Sequence, residues 1–320
     1  MNTPKVLVTG AGGFVGEALV FRLLLDKRFT PVATARSSTR LSGLCSVRPL
    51  DLAVPQTFPV LEGVQVVVHA AARVHVMHET AVDALSAFRE VNLQGTLRLA
   101  RHAADSGVKR FIFISSIKVN GESTERGKPF TADDPAHPTD PYGVSKFEAE
   151  DALKALARET GMEVVIIRPP LVYGPGVKAN FLSMLNWLDR GIPLPLGAID
   201  NRRSLVSIGN LVDLIVTCLT HPAAANQTFL VSDGEDLSIS GLLRRLAAAL
   251  GKKARLIPVP QWVLNTGASL LGRQAVAQRV CGSLQVDISK NRELLGWVPP
   301  IPVEKAFRQT AAHYQDSQTK

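Results

Sequence analysis

The sequence predicts an α/β fold: a Rossmann-type, doubly wound parallel sheet with a smaller mixed α/β lobe toward the C-terminus. Apolar runs alternate with helix-period segments through the first half, which is the pattern of βαβ units. A glycine-rich turn joins the first predicted strand to the first predicted helix. After Arg168, prolines and glycines break the alternation, which indicates loops and shorter elements.

Each predicted element follows from a local pattern. The strand at 64–69 is Val-rich and uninterrupted, as strands covered on both faces are. Gly107 and Gly161 are typical helix ends. The predicted strands are Val6–Thr9, Val32–Ala35, Val64–His69, Phe111–Ser115, Val164–Ile167 and Thr228–Val231. The predicted helices are Phe14–Asp26, Val82–Ser106, Tyr142–Thr160, Leu211–Thr220 and Leu242–Leu250.

The predicted organisation has two parts. Residues 1–170 form the dinucleotide-binding domain, to which 208–232 return. Residues 171–207 and 233–320 form the smaller lobe, which we expect to bind substrate over the carboxyl edge of the sheet, where ligands bind in open α/β sheets.

Composition excludes several classes of protein. The chain has 320 residues, of which 46% are hydrophobic, so intrinsic disorder is excluded. The net charge of +8 suits an anionic ligand or surface, but the basic residues are scattered, and we expect no nucleic-acid partner. The three cysteines lie far apart without paired spacing. With no signal-peptide pattern and no membrane-spanning run, the sequence predicts a soluble, cytoplasmic protein.

The turn Thr9-Gly-Ala-Gly-Gly-Phe-Val-Gly16 predicts a dinucleotide site. Glycines let the backbone approach a pyrophosphate closely, and the helix that follows points its free N–H groups at the anion. Where NAD-binding folds place a carboxylate for the adenosine ribose, the chain reads Arg36-Ser37-Ser38. Because a guanidinium suits a 2′-phosphate, NADP(H) is preferred and NAD(H) is possible. Asp51 is a candidate acceptor for the adenine amine.

Tyr142 and Lys146 form the candidate catalytic pair. Four residues apart, they share one face of a helix, and a lysine so placed is expected to lower the pKa of the phenol. Ser116 follows a strand at the carboxyl edge, where its hydroxyl could hydrogen-bond a substrate carbonyl oxygen.

These features occur in the order found in extended short-chain dehydrogenase/reductases. The sequence resembles the NAD-dependent epimerase/dehydratase family over nearly its whole length. The matching motifs are Thr9-Gly-x-x-Gly-Phe-x-Gly16, His69-Ala-Ala-Ala72, Val91-Asn92-x-x-Gly95-Thr96, Ser115-Ser116-x-x-Val119-x-Gly121, Asp140-Pro-Tyr142-Gly-x-Ser-Lys146, Arg168-Pro-x-x-Val-Tyr173-Gly-Pro175 and Leu295-Gly-Trp297.

The resemblance implies a role for each matching residue. It makes Tyr142 the acid/base, Lys146 its electrostatic partner and Ser116 the holder of the substrate oxygen. The implied cofactor-binding residues are Gly10, Gly13, Phe14, Val15, Gly16, Arg36, Asp51, Leu52, Ala70, Ala71, Ala72, Asn92, Tyr142, Lys146 and Pro169. The implied substrate-binding residues are Ser116, Tyr142, Asn180 with its neighbour Phe181, Arg203 and Arg279. A homodimer through a four-helix bundle, formed by the helices at 82–106 and 142–160, is also implied.

Departures from the family pattern favour a net reductase. Ile117-Lys118 replaces the Asp-Glu pair of 4,6-dehydratases, Leu171 replaces a substrate-pocket Asn of 4-epimerases, and Arg36 replaces the acidic residue of NAD-retaining enzymes. Further segments resemble bacterial enzymes of O-antigen and capsule synthesis. The expected reaction is NADPH-dependent reduction of the C4 ketone of a UDP-4-keto-6-deoxy-N-acetylhexosamine, giving UDP-N-acetylquinovosamine or UDP-N-acetylfucosamine. The alternative is a UDP-sugar 4-epimerase, of the UDP-glucose or UDP-N-acetylglucosamine type, with retained NAD.

Three other interpretations concern features outside this pattern. A nucleotide-sensing regulator would lack Tyr142 or Lys146, and both are present. His75 and His78 have a spacing that a metal could use, but no ligand cluster completes a site and none is predicted. The segment 260–272 resembles an amphipathic membrane-surface helix, and packing within the smaller lobe explains it equally well.

Overall fold

A seven-stranded parallel sheet forms the centre of the computed structural model, which describes residues 3–37, 39–74, 83–270, 272, 278 and 280–319. The strand order is β3-β2-β1-β4-β5-β6-β9, and every neighbouring pair is parallel. The strands are β1 (Lys5–Thr9), β2 (Thr30–Ala35), β3 (Ser46–Pro49), β4 (Val64–His69), β5 (Arg110–Ile114), β6 (Glu163–Arg168) and β9 (Thr228–Leu230). This is the predicted doubly wound α/β fold.

Helices cover both faces of this sheet. Successive side chains along a strand point to opposite faces, so each strand residue packs against the helices on one face. Val6 and Val8 of β1 belong to an apolar core shared with the first and sixth helices, whereas Leu7 faces a second core with the third and fourth. The helices are α1 (Phe14–Asp26), α2 (Ala84–Phe88), α3 (Thr96–Asp105), α4 (Pro141–Thr160) and α6 (Ile208–Thr220).

The long helix predicted at 82–106 is helical without a break over 84–105, but its hydrogen bonding changes along the way. In the described part, α2 passes into a π-helical segment, Arg89–Gly95, before α3 begins. Gly95 lies against Leu52, where a Cβ would approach the Leu52 Cβ to 2.7 Å. Apolar spacing gives the helical period but does not encode a local change to i→i+5 hydrogen bonding.

A second sheet of three short strands, in the order β10-β8-β7, lies in the smaller lobe. Its core includes Tyr173, Phe181 and Phe307. The strands are β7 (Leu171–Tyr173), β8 (Arg203–Ser207) and β10 (Asp236–Leu237). The remaining helices are α5 (Ala179–Asp189), α7 (Ile239–Ala249), α8 (Gln261–Leu270), α9 (Ser289–Leu295) and α10 (Val303–Gln318). Across the described residues, every helix is too short or too polar to cross a bilayer.

Candidate active site

The glycine turn between β1 and α1 leaves a backbone surface open at the carboxyl edge of the sheet. Gly10 has a φ of +66°, and a Cβ there would lie 2.7 Å from the backbone nitrogen of Ala71. A Cβ at Gly16 would collide with the carbonyl oxygen of Gly10. Gly13 caps α1 without a side-chain hydrogen bond, so no side chain at this cap competes for the first N–H groups of the helix. An anionic pyrophosphate fits this arrangement.

Phe14 and Val15 form the first turn of α1 and are half-buried beside this surface. Arg36 is exposed just beyond the end of β2. The amide of Ala11 donates a 3.2 Å hydrogen bond to the carbonyl of Thr34, which holds the end of β2 beside the glycine turn. The backbone at Arg36 therefore lies on the side of the turn where an adenosine ribose is expected.

Asp51 and Leu52 are engaged in local structure. The Asp51 carboxylate accepts a 3.0 Å hydrogen bond from the amide of Ala53. Leu52 is buried against Gly95, and its carbonyl accepts a 2.9 Å bond from Arg98. Only a minor part of either residue is available to a ligand, so their expected cofactor contacts stay predictions.

A buried histidine fixes the segment that follows β4. His69 is hydrogen-bonded through Nδ1 to Thr9 Oγ1 (2.7 Å) and through Nε2 to Thr96 Oγ1 (2.9 Å). Burial, assisted by repulsion from Lys146, lowers the pKa of His69 to about 3, so the imidazole is neutral. The amide of Ala71 donates to the same Thr9 hydroxyl (3.2 Å). Ala70, Ala71 and Ala72 are thereby held, half-exposed, beside the glycine turn.

The candidate catalytic pair lies on the first turns of α4. Asp140 caps this helix by accepting a 2.6 Å hydrogen bond from the amide of Gly143. Tyr142 is half-buried, with its ring edge-on to Phe88 at 5.9 Å. Lys146 is buried, and its ammonium donates a 2.7 Å bond to the carbonyl of Ile114.

The charge states of this pair are set mainly by burial. Burial lowers the pKa of Lys146 to about 7, against the opposing attraction of Glu150. Burial, assisted by repulsion from Asp140, raises the pKa of Tyr142 to about 12. The expectation that Lys146 lowers the tyrosine pKa is therefore wrong for the protein alone, because desolvation dominates.

Ser116 is held in place by the turn that follows β5. Its hydroxyl accepts a 3.3 Å hydrogen bond from the amide of Lys118, and the amide of Ile117 donates to the carbonyl of Pro169 (3.0 Å). The Lys118 ammonium forms an ion pair with Asp140, the cap of α4. These contacts bring Ser116 and Pro169 to the part of the sheet edge where α4 presents Tyr142.

Asn92, within the π-helical segment, connects the chain after β4 to α4. Its side chain accepts from the amide of Arg73 (2.8 Å) and donates to the Arg73 carbonyl (3.1 Å). The same amide group donates to the Ser145 hydroxyl at 3.0 Å. Because Ser145 is flanked by Tyr142 and Lys146, Asn92 positions the helix that carries the candidate catalytic pair.

The sequence analysis missed a buried network one turn beyond Lys146. Glu150 accepts a 2.5 Å hydrogen bond from the Ser115 hydroxyl and three from Arg168, the shortest of which is 2.5 Å. Arg168 also donates to the Asn120 side chain (2.9 Å). The spacing Tyr142-x-x-x-Lys146-x-x-x-Glu150, which puts the three on one helix face, is the signal that could have found it.

The expected substrate residues are dispersed over the smaller lobe. Arg203 begins β8 and donates a 3.0 Å bond to the carbonyl of Gly282, and burial lowers its pKa. Asn180 is exposed in the first turn of α5. The Phe181 side chain is buried and stacks on Tyr173 at 5.3 Å, and the expectation that this segment lies close to a diphosphate stays a prediction.

The predictions at Ser38, His75, His78 and Arg279 lie outside the described residues. Within the described ranges, no group of three metal-ligating side chains is found.

Comparison with known proteins shows the family. Residues 6–232 match the profile of the NAD dependent epimerase/dehydratase family. A Vibrio cholerae protein named UDP-glucose 4-epimerase is 51% identical over 96% of this chain and 95% of its own length. An N-acetyl-alpha-D-glucosaminyl-diphospho-ditrans,octacis-undecaprenol 4-epimerase of Escherichia coli O157:H7 is 28% identical, over 96% of this chain and 94% of its own. The crystal structure of UDP-glucose 4-epimerase from Thermotoga maritima with UDP-glucose superposes with a TM-score of 0.79, at 22% identity and 98% and 99% coverage.

The fold and the candidate site define an enzyme of the extended short-chain dehydrogenase/reductase type. The chain belongs to the NAD dependent epimerase/dehydratase family. The expectation of a 4-ketoreductase is wrong, because the 51% identical relative is named as an epimerase. The expected role in O-antigen synthesis depended on that activity and loses its basis with it.

Proposed function

We propose that the protein is a UDP-hexose 4-epimerase that interconverts UDP-glucose and UDP-galactose. The observation that carries this proposal is the 51% identity, over 96% of the chain, with a relative named UDP-glucose 4-epimerase. The placement of Tyr142, Ser116 and Lys146 at one edge of the sheet supports it, since inversion at C4 needs a proton acceptor beside the sugar hydroxyl.

The residues divide the chemistry among them. The Tyr142 oxygen takes the proton from the C4 hydroxyl as the ketone forms, and it returns that proton when the carbonyl is reduced again. The Ser116 hydroxyl hydrogen-bonds the C4 oxygen throughout. Lys146, when protonated, stabilises the phenolate. A dinucleotide held by the glycine turn and Lys146 would supply the hydride acceptor for oxidation at C4 and the hydride donor for reduction of the resulting ketone.

We propose that the cofactor is NAD and that it stays bound between turnovers. The N-terminus of α1, which has no side-chain cap at Gly13, fits its pyrophosphate, and the family profile is that of an NAD-dependent family. Epimerisation causes no net oxidation, so the cofactor need not exchange. The preference for NADP(H) rests on Arg36 and stays a prediction. Release of the nucleotide by denaturation, followed by chromatography, identifies it: NAD supports the proposal, and NADP overturns it in favour of the Arg36 prediction.

Lys118 gives a further reason to favour epimerisation over elimination of water. Its ammonium pairs with Asp140 and with Glu122 at 3.0 Å, so position 118 supplies a fixed cation beside Ser116. The resemblance implies that 4,6-dehydratases use an Asp-Glu pair at these two positions to eliminate water; Ile117 cannot act as an acid, and Lys118 is engaged by two carboxylates.

The test is incubation of the protein as purified with UDP-glucose, UDP-galactose, UDP-N-acetylglucosamine and UDP-N-acetylgalactosamine in separate reactions, with no cofactor added. We expect UDP-glucose and UDP-galactose to approach the same equilibrium mixture, as measured by anion-exchange chromatography or proton NMR. Absence of conversion of every pair overturns the proposal. Conversion of only the N-acetylated pair keeps the reaction and corrects the substrate.

We also propose a cytoplasmic homodimer formed through α2, α3 and α4. Ion pairs between Arg89 and Glu148 (2.5 Å) and between Arg101 and Glu159 (3.1 Å) bind these helices side by side into one layer. Sedimentation velocity at several concentrations measures the state, and a monomer at micromolar concentration would contradict the dimer.

A further inference from the structure

Helix α8 lies on the surface of the smaller lobe and contributes no buried residue to it. Trp262 at its start is 71% exposed, and Leu270 at its end is 84% exposed. Helical stability in proteins comes mostly from packing an apolar face, and this helix has little such packing among the described residues. An exposed apolar surface of this kind indicates an interaction site.

The segment just before α8 extends this surface. Ile257, which is half exposed, donates through its amide to the carbonyl of Leu194, and Leu194 donates in turn to the carbonyl of Arg255. This short ladder places the exposed Ile192 near Arg255 and Ile257. The name α8 surface is used below for six residues: Ile192, Lys253, Arg255, Ile257, Trp262 and Leu270.

The sequence around α8 is basic. Between Asp236 and Asp287 the chain contains no Asp or Glu, but it contains the basic residues Arg244, Arg245, Lys252, Lys253, Arg255, Arg273 and Arg279. Carboxylates from other segments pair with two of these: Glu235 and Glu304 with Arg245, and Asp189 of α5 with Lys252 at 2.6 Å. Lys253 and Arg255 are exposed, and they leave the surface net positive.

We propose that the α8 surface docks the protein onto an anionic phospholipid membrane. A helix with Trp and Leu exposed and basic residues beside it lies in the plane of a membrane interface, its apolar side chains in the acyl boundary and its cations among the headgroups. A second copy of this chain is disfavoured, because it would bring the same positive charge to the contact.

Flotation of the full-length protein with lipid vesicles tests the proposal. We expect binding to phosphatidylcholine vesicles that contain phosphatidylglycerol, weak binding to pure phosphatidylcholine, and release by added salt. Trp262→Ser with Leu270→Ser should lower the partition coefficient at least about tenfold, since both apolar contacts are lost. Lys253→Glu with Arg255→Glu should lower it by a similar factor.

The matched controls are Leu25→Ser, at an apolar residue of α1 that is 79% exposed, and Lys109→Glu, at an exposed lysine beside β5. Neither should change binding, and unchanged melting temperatures show that all variants fold. Failure of the wild-type protein to float with phosphatidylglycerol overturns the proposal, as does an equal loss in the controls. Dissociation of an oligomer by the Trp262/Leu270 variant, without a change in flotation, overturns it in favour of a second copy.

Discussion

Tyr142 and Lys146 carry the proposed acid–base chemistry, and both have pKa values moved by burial. The phenol holds its proton more tightly than a free tyrosine, and the ammonium holds its proton less tightly than a free lysine. Formation of the Tyr142 phenolate therefore costs more free energy than in a free tyrosine, and a protonated Lys146 on the same helix face would offset part of that cost.

Tyr142→Phe removes the proton acceptor while keeping the ring that packs against Phe88. We expect kcat for epimerisation to fall by roughly 10²–10⁴-fold, because general acid–base catalysis contributes about that much. The retained dinucleotide, measured by absorbance after denaturation, should stay. Tyr314→Phe is the control, since that hydroxyl donates to Asn186 in the smaller lobe. Full activity in Tyr142→Phe would remove the tyrosine from the mechanism.

Lys146→Met should change the pH dependence of stability. The pKa of Lys146 is about 7 in the folded protein, against 10.5 for an ordinary lysine. Between pH 7 and 10.5 the unfolded chain holds this proton and the native protein has lost it, so native stability rises with pH across that window. The methionine variant lacks this contribution. Between pH 7 and pH 9, the free energy of unfolding measured with urea should rise more for the wild type than for the variant. Lys109→Met is the control for loss of a charge. An equal difference at both pH values would contradict the low pKa.

At the scale of elements, the α1 turn depends on missing Cβ atoms at particular positions. Gly16→Ala would press a methyl group against the Gly10 carbonyl, whereas Gly12→Ala would meet open space. We expect Gly16→Ala to lose the retained dinucleotide and about 1–3 kcal/mol of stability. Gly12→Ala should keep both. Measurement of bound nucleotide per protein and of the urea midpoint checks this, and indistinguishable variants would show that the turn tolerates a side chain.

Helix α4 carries a buried Glu–Arg pair at Glu150 and an exposed one at Glu148, which makes a matched comparison. Glu150→Gln leaves the buried Arg168 without its counter-charge, and we expect a loss of about 3–5 kcal/mol. Glu148→Gln breaks the exposed pair with Arg89 and should cost less than about 1 kcal/mol. Chemical denaturation measures both losses of stability. Similar losses would mean that burial does not increase the contribution of the Glu150–Arg168 pair to the free energy of unfolding.

Elements whose pattern is local could be predicted. Helix α1 and strand β4 have the predicted bounds. Their signals, an amphipathic period and an uninterrupted valine run, depend only on neighbouring residues in the sequence. Strands β7, β8 and β10 were not predicted, since they are two to five residues long and exist through pairing with distant segments. The π-helical segment was missed for the same reason, because contact between Gly95 and Leu52 depends on the tertiary fold.

The same limit applies to the site. Tyr142 and Lys146 are visible in one helical stretch, whereas the partners of Glu150 come from β6 and the end of β5. The reaction itself could not be predicted, because Tyr142, Ser116 and Lys146 would serve a ketone reductase and an epimerase equally well. A relative of high identity was needed to choose between them.

At the scale of the whole molecule, reductase and epimerase differ in the fate of the hydride. A reductase takes it from an exchangeable cofactor, whereas an epimerase returns the hydride that it removed. The proposed epimerase reaction therefore requires that the hydrogen on C4 of the sugar stay with the sugar while the configuration at C4 inverts.

The most direct measurement uses UDP-glucose deuterated at C4, incubated with the protein as purified and without added cofactor. We expect UDP-galactose that keeps the deuterium at C4, as shown by proton NMR and mass spectrometry. Loss of the label to solvent, or no product unless a reduced cofactor and a keto sugar are supplied, would contradict the proposed epimerase.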